Sequence, residues 1–347
     1  MSDPDSIVRS ILGKLNREVV PKVRRNAQKM EEFKERFRKA IEKSDSGYPK
    51  QFVHCGSAFE GLAVKEETDF DIVMTLGKPF EGANFTPRRH PSGFFTLKWK
   101  PHLPSKSVCD SEGVVNVSHL KEDLFTRIVN AIDAVKVPGQ EIRRSKQLVA
   151  VTVEIKYDSG EEISIDLVPT IVFRSWEDCP DLRPPTELPE CLRDYIDTLK
   201  DNGSPIMFFS LTVPNADKYQ NSDQLSSPSF GLLEKTFLSS EVNLRDMVRL
   251  VKLKAHQQDW KRLYKFQSFF AKRIAVKHCD ELKTKGVWEG YRAILKYLDQ
   301  EVEKEFIEDY FIINQVAYKW KPERAVQFRE EIARALREDP SNILSKM

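Results

Sequence analysis

The sequence predicts an α+β fold, with a sheet in its first half and helices dominating its second. Three observations carry this. From 6 to 44, Ile7, Ile11, Leu12, Leu15, Val19, Val23, Met30, Phe33, Phe37 and Ile41 recur at three- and four-residue intervals, the period of a helix with one buried face. Short apolar or alternating runs at 51–55, 70–76, 148–157 and 162–173 are bounded by Gly, Pro, Asp or Ser and read as strands. Beyond residue 230 the pattern is helical, at 230–238, 244–260, 267–283, 287–306 and 322–336.

In chain order, Pro21 interrupts the first helical run and predicts a kink or break there. Residues 44–50, with Gly47 and Pro49, form a turn into the strand 51–55. Gly56-Ser57 then turns into a short helix at 58–62, and 70–76 is the next strand. Residues 77–112, rich in Pro, Gly and basic side chains, read as an irregular insertion with a strand at 94–99. A helix at 120–135 precedes a hairpin whose strands, 148–157 and 162–173, are joined by Asp158-Ser159-Gly160-Glu161. The Pro/Asp-rich stretch 176–189 is the expected crossing between an N-terminal part, 1–180, and a C-terminal part, 181–347. A strand at 207–213 and a polar loop at 215–228 lead into the helices, and the tail from Asp339 is expected to fray.

The 347 residues carry a net charge of only +2, so any basic binding surface must come from clustering. Hydrophobic residues at 40% support a packed core rather than disorder. No run is long enough to span a membrane, and the polar start does not read as a signal peptide. Cys55, Cys109, Cys179, Cys191 and Cys279 are scattered, odd in number and contain no C-x-x-C. That pattern suits a reducing, cytoplasmic location and gives no sign of a structural zinc site.

The chemistry centres on two short stretches. Gly56-Ser57 follows the apolar run Phe52-Val53-His54-Cys55, and a backbone turn with a hydroxyl can hold a phosphate. Asp69 and Asp71 then open a strand, where alternate side chains share a face, so the two carboxylates project together. An isolated pair of this kind reads more simply as a polar strand end beside lysines. Here Asp166 adds a third acid inside Ile163-Ser164-Ile165-Asp166-Leu167-Val168, where apolar neighbours predict burial. A metal shared with Asp69 and Asp71 would relieve that cost.

Gly-Ser, then D-x-D on a strand, then a third Asp on a later strand resembles the active site of polymerase-beta-type nucleotidyltransferases. The order and spacing are similar, more narrowly, to the animal cyclic GMP-AMP synthase-like receptors. That resemblance runs to about residue 320 and implies a bilobal nucleotidyltransferase fold: a mixed-sheet core, a long N-terminal spine helix and a C-terminal helical lobe. It implies two Mg²⁺ or Mn²⁺ ions on Asp69, Asp71 and Asp166, phosphate positioning by Gly56 and Ser57, and ATP and GTP as substrates of a cyclic dinucleotide synthase in innate immune signalling. In the helical half, Lys252 and Lys265-Phe266-Gln267-Ser268-Phe269-Phe270-Ala271-Lys272 resemble the family's nucleotide-gripping helices. By that match Lys252 and Lys272 reach triphosphate oxygens, Ser268 bonds a phosphate or sugar, and Phe269 stacks on a base. Read without the upstream motif, the same stretch is a basic helix face with phenylalanines in the core.

Ten basic residues against two acids between Arg245 and Lys277 make the strongest positive cluster in the chain. Lys261, Arg262 and Lys265, around Trp260, read as outer surface. With Arg17, Lys22, Arg24 and Arg25 of the first helix they could line one groove that grips double-stranded nucleic acid by its phosphates. The His/Cys zinc module of the vertebrate enzyme is missing from 229–246, which favours double-stranded RNA over DNA as the activating ligand, with no zinc and with a dimer forming on the ligand. An Arg expected before the Ser-Phe pair is replaced by Ser227 or Pro228, which leaves the bases joined open. Two rival readings stand beside this one: an inactive nucleotidyltransferase-fold scaffold, and a transferase with a linear product.

Overall fold

The computed structural model describes residues 3–44, 51–56, 58–100, 108–135, 137, 139–179, 181–183, 185–213, 218–312 and 316–347. The expected turn at 44–50 falls almost wholly outside these residues, as do Ser57 and part of the 77–112 insertion.

The first helical run is two helices, α1 (Pro4–Glu18) and α2 (Val20–Ser44). The break lies at Val19, just before Pro21, which lacks the N–H a continuous helix would need. The two halves bury their apolar stripes in different cores. Val8, Ile11, Leu12 and Leu15 of α1 pack with the C-terminal helices, whereas Met30, Phe33, Phe37 and Ile41 of α2 pack on the sheet with α3 (Val117–Ala134).

The sheet is mixed. β1 (Gln51–Cys55) runs antiparallel to β2 (Asp69–Thr75), and β2 runs parallel to the long β7 (Glu162–Phe173). On its other side β7 pairs antiparallel with β6 (Val151–Tyr157) and, further along, β8 (Met207–Ser210). β9 (Leu225–Ser229), β4 (Phe95–Trp99) and β3 (Phe85–Arg89) extend the sheet beyond β8, while β5 (Gln140–Lys146) pairs with β6. One face of the central strands (Phe70, Ile72, Met74, Val151, Val153, Ile163, Ile165, Leu167) is buried under α2 and α3. Strand alternation therefore turns Asp69, Asp71 and Asp166 to the opposite face.

The remaining named elements are α4 (Glu190–Asp201), α5 (Gly231–Ser240), α6 (Val242–Gln257), α7 (Trp260–Tyr264), α8 (Ser268–Lys277), α9 (Cys279–Leu282), α10 (Val287–Glu303), the hairpin β10 (Phe306–Glu308) and β11 (Val316–Lys319), α11 (Pro322–Arg337) and α12 (Pro340–Ser345). Among the described residues no helix is long and apolar enough to cross a membrane.

The structure departs from the sequence reading at several places. Residues 58–61 are turns, not a helix. β5, β9 and α4 lie where no element was expected, and the insertion contributes both β3 and β4 to the sheet. The tail does not fray: Asp339 caps α12 through the Ser341 N–H at 2.9 Å, and Ile343 is fully buried, its carbonyl accepting from Gln257 Nε2 at 3.1 Å.

Candidate active site

The three acids meet because β2 and β7 are adjacent and in register. Asp71 lies directly opposite Asp166, and Asp69 opposite Ser164. Thr152, paired with Asp166 across β6 and β7, donates its hydroxyl to Asp166 Oδ1 at 2.6 Å and fixes that carboxylate. Asp166 is only partly buried, against the expectation from its apolar neighbours; those neighbours face the other side of the sheet.

Gly56 completes this corner. It follows β1, where Cys55 pairs with Asp71, and it holds a left-handed φ of +82°. A Cβ at this position would stand 2.6 Å from Asp71 Oδ2, so the carboxylate packs directly on the turn and only glycine leaves room for it. The Asp71 carboxyl is pushed above the usual carboxylate range, first by burial and then by Asp166, Glu60 and Asp69, with Lys272 opposing. Asp71 is nevertheless exposed at the surface of the sheet, so solvent weakens both the burial cost and the repulsion, and only the upward direction follows. Cys55 is an inert neighbour, its thiol pushed up to about 11 chiefly by burial.

A cavity of about 440 Å³ opens beside Asp69. Its walls include Glu67, Lys252, His256, Lys261 and Ser268, so the structure brings Lys252 and Ser268 into one cavity with Asp69. Lys261, expected on an outer surface, lines the same cavity. Phe269 is not among the lining residues: its ring meets Phe270 edge-on at 4.5 Å and lies under the Arg273 guanidinium at 5.5 Å.

Both lysines expected to meet a triphosphate are held by glutamates from the 56–68 segment. Lys252 Nζ donates to Glu67 Oε1 at 3.3 Å. Lys272, buried, donates to both oxygens of Glu60 at 3.1 Å and lies 3.8 Å from Glu234. Glu234 also accepts from Arg273 at 2.9 Å, and Arg273 reaches on to Asp309. Burial works against the Lys272 charge, but Glu60 and Glu234 outweigh it and hold the ammonium above the ordinary lysine range. Lys252, with a weaker partnership, is pushed below that range by burial.

The same segment is tied to the N-terminal helices. Asn26 of α2, buried, donates to the Glu67 carbonyl at 3.1 Å and to Glu66 Oε1 at 3.2 Å. Arg249 of α6 bridges the Ala63 carbonyl and Asn16 Oδ1. Nearby, Arg17, Lys22, Arg24 and Arg25 are exposed, as are Lys261, Arg262 and Lys265 on and just after α7, with Arg262 paired to Asp259. Lys29, further along α2, is taken up by Glu161 and the Tyr157 ring.

Sequence reasoning missed Glu60, Glu67, Asn26 and Thr152. None carries a motif. Thr152 was findable in principle, as a hydroxyl on the hairpin strand opposite Asp166.

The scattered cysteines are corrected in one respect: Cys191 and Cys279, 88 residues apart, are joined as a disulfide. Sequence separation hides such pairs because only tertiary packing brings α4 to α9.

The Mab-21 protein nucleotidyltransferase domain matches residues 58–240, a little over half of the chain, so the chain belongs to that family. The matched region contains Asp69, Asp71 and Asp166; Lys252, Ser268, Phe269 and Lys272 lie beyond it. No curated protein matches the chain.

Proposed function

We propose that this Mab-21-family nucleotidyltransferase binds ATP and GTP in the cleft between the acidic strands and α6–α8 and makes a cyclic dinucleotide when double-stranded RNA binds. The observation that carries the nucleotidyl-transfer part is the convergence of Asp69, Asp71 and Asp166 on one sheet face beside a cavity walled by Lys252 and Ser268.

The acids fit divalent cations. The Asp71 carboxyl is held above its ordinary range first by burial and then by Asp166, Glu60 and Asp69, and a cation shared by the three acids would offset both costs. Asp69, Asp71 and Asp166 would hold two Mg²⁺ or Mn²⁺ ions, which when bound supply an activated ribose hydroxyl and charge neutralisation at the leaving pyrophosphate. The chain's own residues do the rest. Thr152 keeps Asp166 aimed at the shared centre, and Gly56 lets Asp71 and the phosphate-side turn approach closely. Lys252 and Lys272 exchange Glu67 and Glu60 for phosphate oxygens, Ser268 adds a hydrogen bond, and Phe269 stacks on a base once its ring swings to the cleft.

Activation by a nucleic acid follows from the ties between α2 and the 56–68 segment. Arg17, Lys22, Arg24 and Arg25, with Lys261, Arg262 and Lys265, would grip backbone phosphates. Movement of α2 would pass through Asn26 to Glu67, and so to Lys252. The cytosol, where viral RNA appears, is the compartment this reading requires.

The test incubates purified protein with labelled ATP, CTP, GTP and UTP plus Mg²⁺ or Mn²⁺, alone, with long double-stranded RNA, or with double-stranded DNA. A phosphatase-resistant product formed only with RNA, and erased by Asp69→Asn, is expected. Charge reversal of Arg24 and Arg25 should abolish stimulation without unfolding the protein. A phosphatase-sensitive linear product overturns the cyclic outcome. No product under any condition, with no nucleotide binding, leaves a scaffold.

A further inference from the structure

The second cluster of chemistry lies away from the acidic strands, where α4 meets α9. Cys191, Cys279 and Asp280 each place a ligand atom within 4.8 Å of the others. Cys279 is fully buried and Cys191 partly buried. The Asp280 carboxylate is fixed by the Glu190 N–H at 2.8 Å and the Cys191 N–H at 3.0 Å. An open cleft of about 410 Å³ leads to this floor. Among the described residues it is lined by Glu190, Asp194, Glu241 and Asp280 against one lysine, Lys283, itself paired with Glu241 at 2.7 Å. Cys191 lines this cleft and Cys279 is buried behind it; two cysteine sulfurs beside carboxylates, once reduced, suit a cation that is soft enough for sulfur and charged enough to gather carboxylates.

We propose that the reduced Cys191–Cys279 pair binds one Zn²⁺-class divalent ion. Asp280 is the third ligand, and the fourth position opens to the cleft beside Asp194. The site has two interconvertible forms. A thiol reductant gives two electrons and two protons to the disulfide, freeing both thiols and becoming a disulfide itself. Ion binding then displaces the two thiol protons, leaving two metal-bound thiolates. Thiolates at about 2.3 Å from one tetrahedral zinc stand roughly 3.8 Å apart. Side chains on Cα atoms 6.9 Å apart can span that separation without moving either helix. Cysteine spacing and the missing His/Cys module at 229–246 gave no sign of zinc in the sequence; Cys191 and Cys279 lie outside that stretch, and tertiary packing brings them together. Since α9 directly follows α8, the ion would brace the end of the helix that carries Ser268 and Lys272.

Cobalt titration tests this. The full chain, reduced and desalted, should develop a thiolate-to-cobalt charge-transfer band that saturates at one cysteine-bound Co²⁺ per chain and that Zn²⁺ bleaches; Co²⁺ held by the acidic strands gives no such band. Cys191→Ser should remove the band, and Asp280→Asn should weaken Co²⁺ binding at least tenfold. Cys191 is the primary target because Cys279 is fully buried and its replacement risks the fold. Cys55→Ser and Asp69→Asn should leave the band intact, separating this site from the acidic strands. Absence of the band in the reduced wild type, its survival in Cys191→Ser, or its loss in Cys55→Ser would overturn the proposal. So would a pair that folded protein never releases to thiol reductant.

Discussion

Replacing Glu67 with glutamine should tighten nucleotide binding. Glu67 Oε1 stands 3.3 Å from Lys252 Nζ, and their side chains are 11% and 16% exposed. At an effective dielectric constant of about 20, unit charges at that separation attract by roughly 5 kcal/mol. Desolvation cancels much of this: burial is the main influence on Lys252, lowering its pKa, with Glu67 opposing. A charged hydrogen bond of this kind contributes about 1.5–3 kcal/mol net, and glutamine keeps part of it as a neutral acceptor. A triphosphate that recruits Lys252 must first release Glu67, so the substitution should lower the cost of binding by about 1–2 kcal/mol, or roughly 5–30-fold in Kd. It also removes a negative charge from the wall that carries Asp69. The assay is fluorescence anisotropy with labelled ATP and GTP analogues in Mg²⁺, with circular dichroism to establish the fold. Folded Glu67→Gln protein whose Kd is unchanged or weaker refutes the exchange of partners at Lys252. Lys252→Ala distinguishes the deeper failure: if it binds nucleotide like wild type, the lysine does not meet the triphosphate at all.

Gly56→Ala should cost about 1–2 kcal/mol from the left-handed backbone alone, plus displacement of Asp71 by the new Cβ; urea unfolding and Mn²⁺ binding would read the two effects separately. Asp71→Asn should raise the metal-free Tm near neutral pH. The Asp71 pKa is raised in the fold, so its ionised form destabilises the native state above that pKa, and the gain should vanish as pH falls below the ordinary carboxylate value. Added Mg²⁺ should reverse the order, stabilising wild type and not the variant, as thermal melts across pH would show. Asn26→Ala should cost about 1–3 kcal/mol by removing the buried amide that donates to the Glu67 carbonyl and to Glu66, and limited proteolysis should then cut first within 62–68.

The acidic strands were legible because strand alternation is a local property. Once Asp69 and Asp71 sit in an extended run, they must share a face, whatever the rest of the chain does. The apolar periods of α1, α2 and the C-terminal helices were legible for the same reason, and Pro21 marked the helix break to within two residues. The α+β class followed from those local patterns. Tertiary structure decided what local pattern cannot carry. The parallel register that sets Asp71 against Asp166 depends on β7 reaching β2 across more than ninety residues. β9 and β5 are polar enough to pass for loops, and they are strands because neighbouring strands supply their hydrogen bonds. Glu60 and Glu67 announce nothing in the sequence; they matter because folding carries the 56–68 segment against Lys272 and Lys252, where burial makes each charge dependent on its partner. Cys191 and Cys279 are distant in sequence and adjacent in space for the same physical reason: packing of apolar helix faces, not chain proximity, chooses which side chains meet.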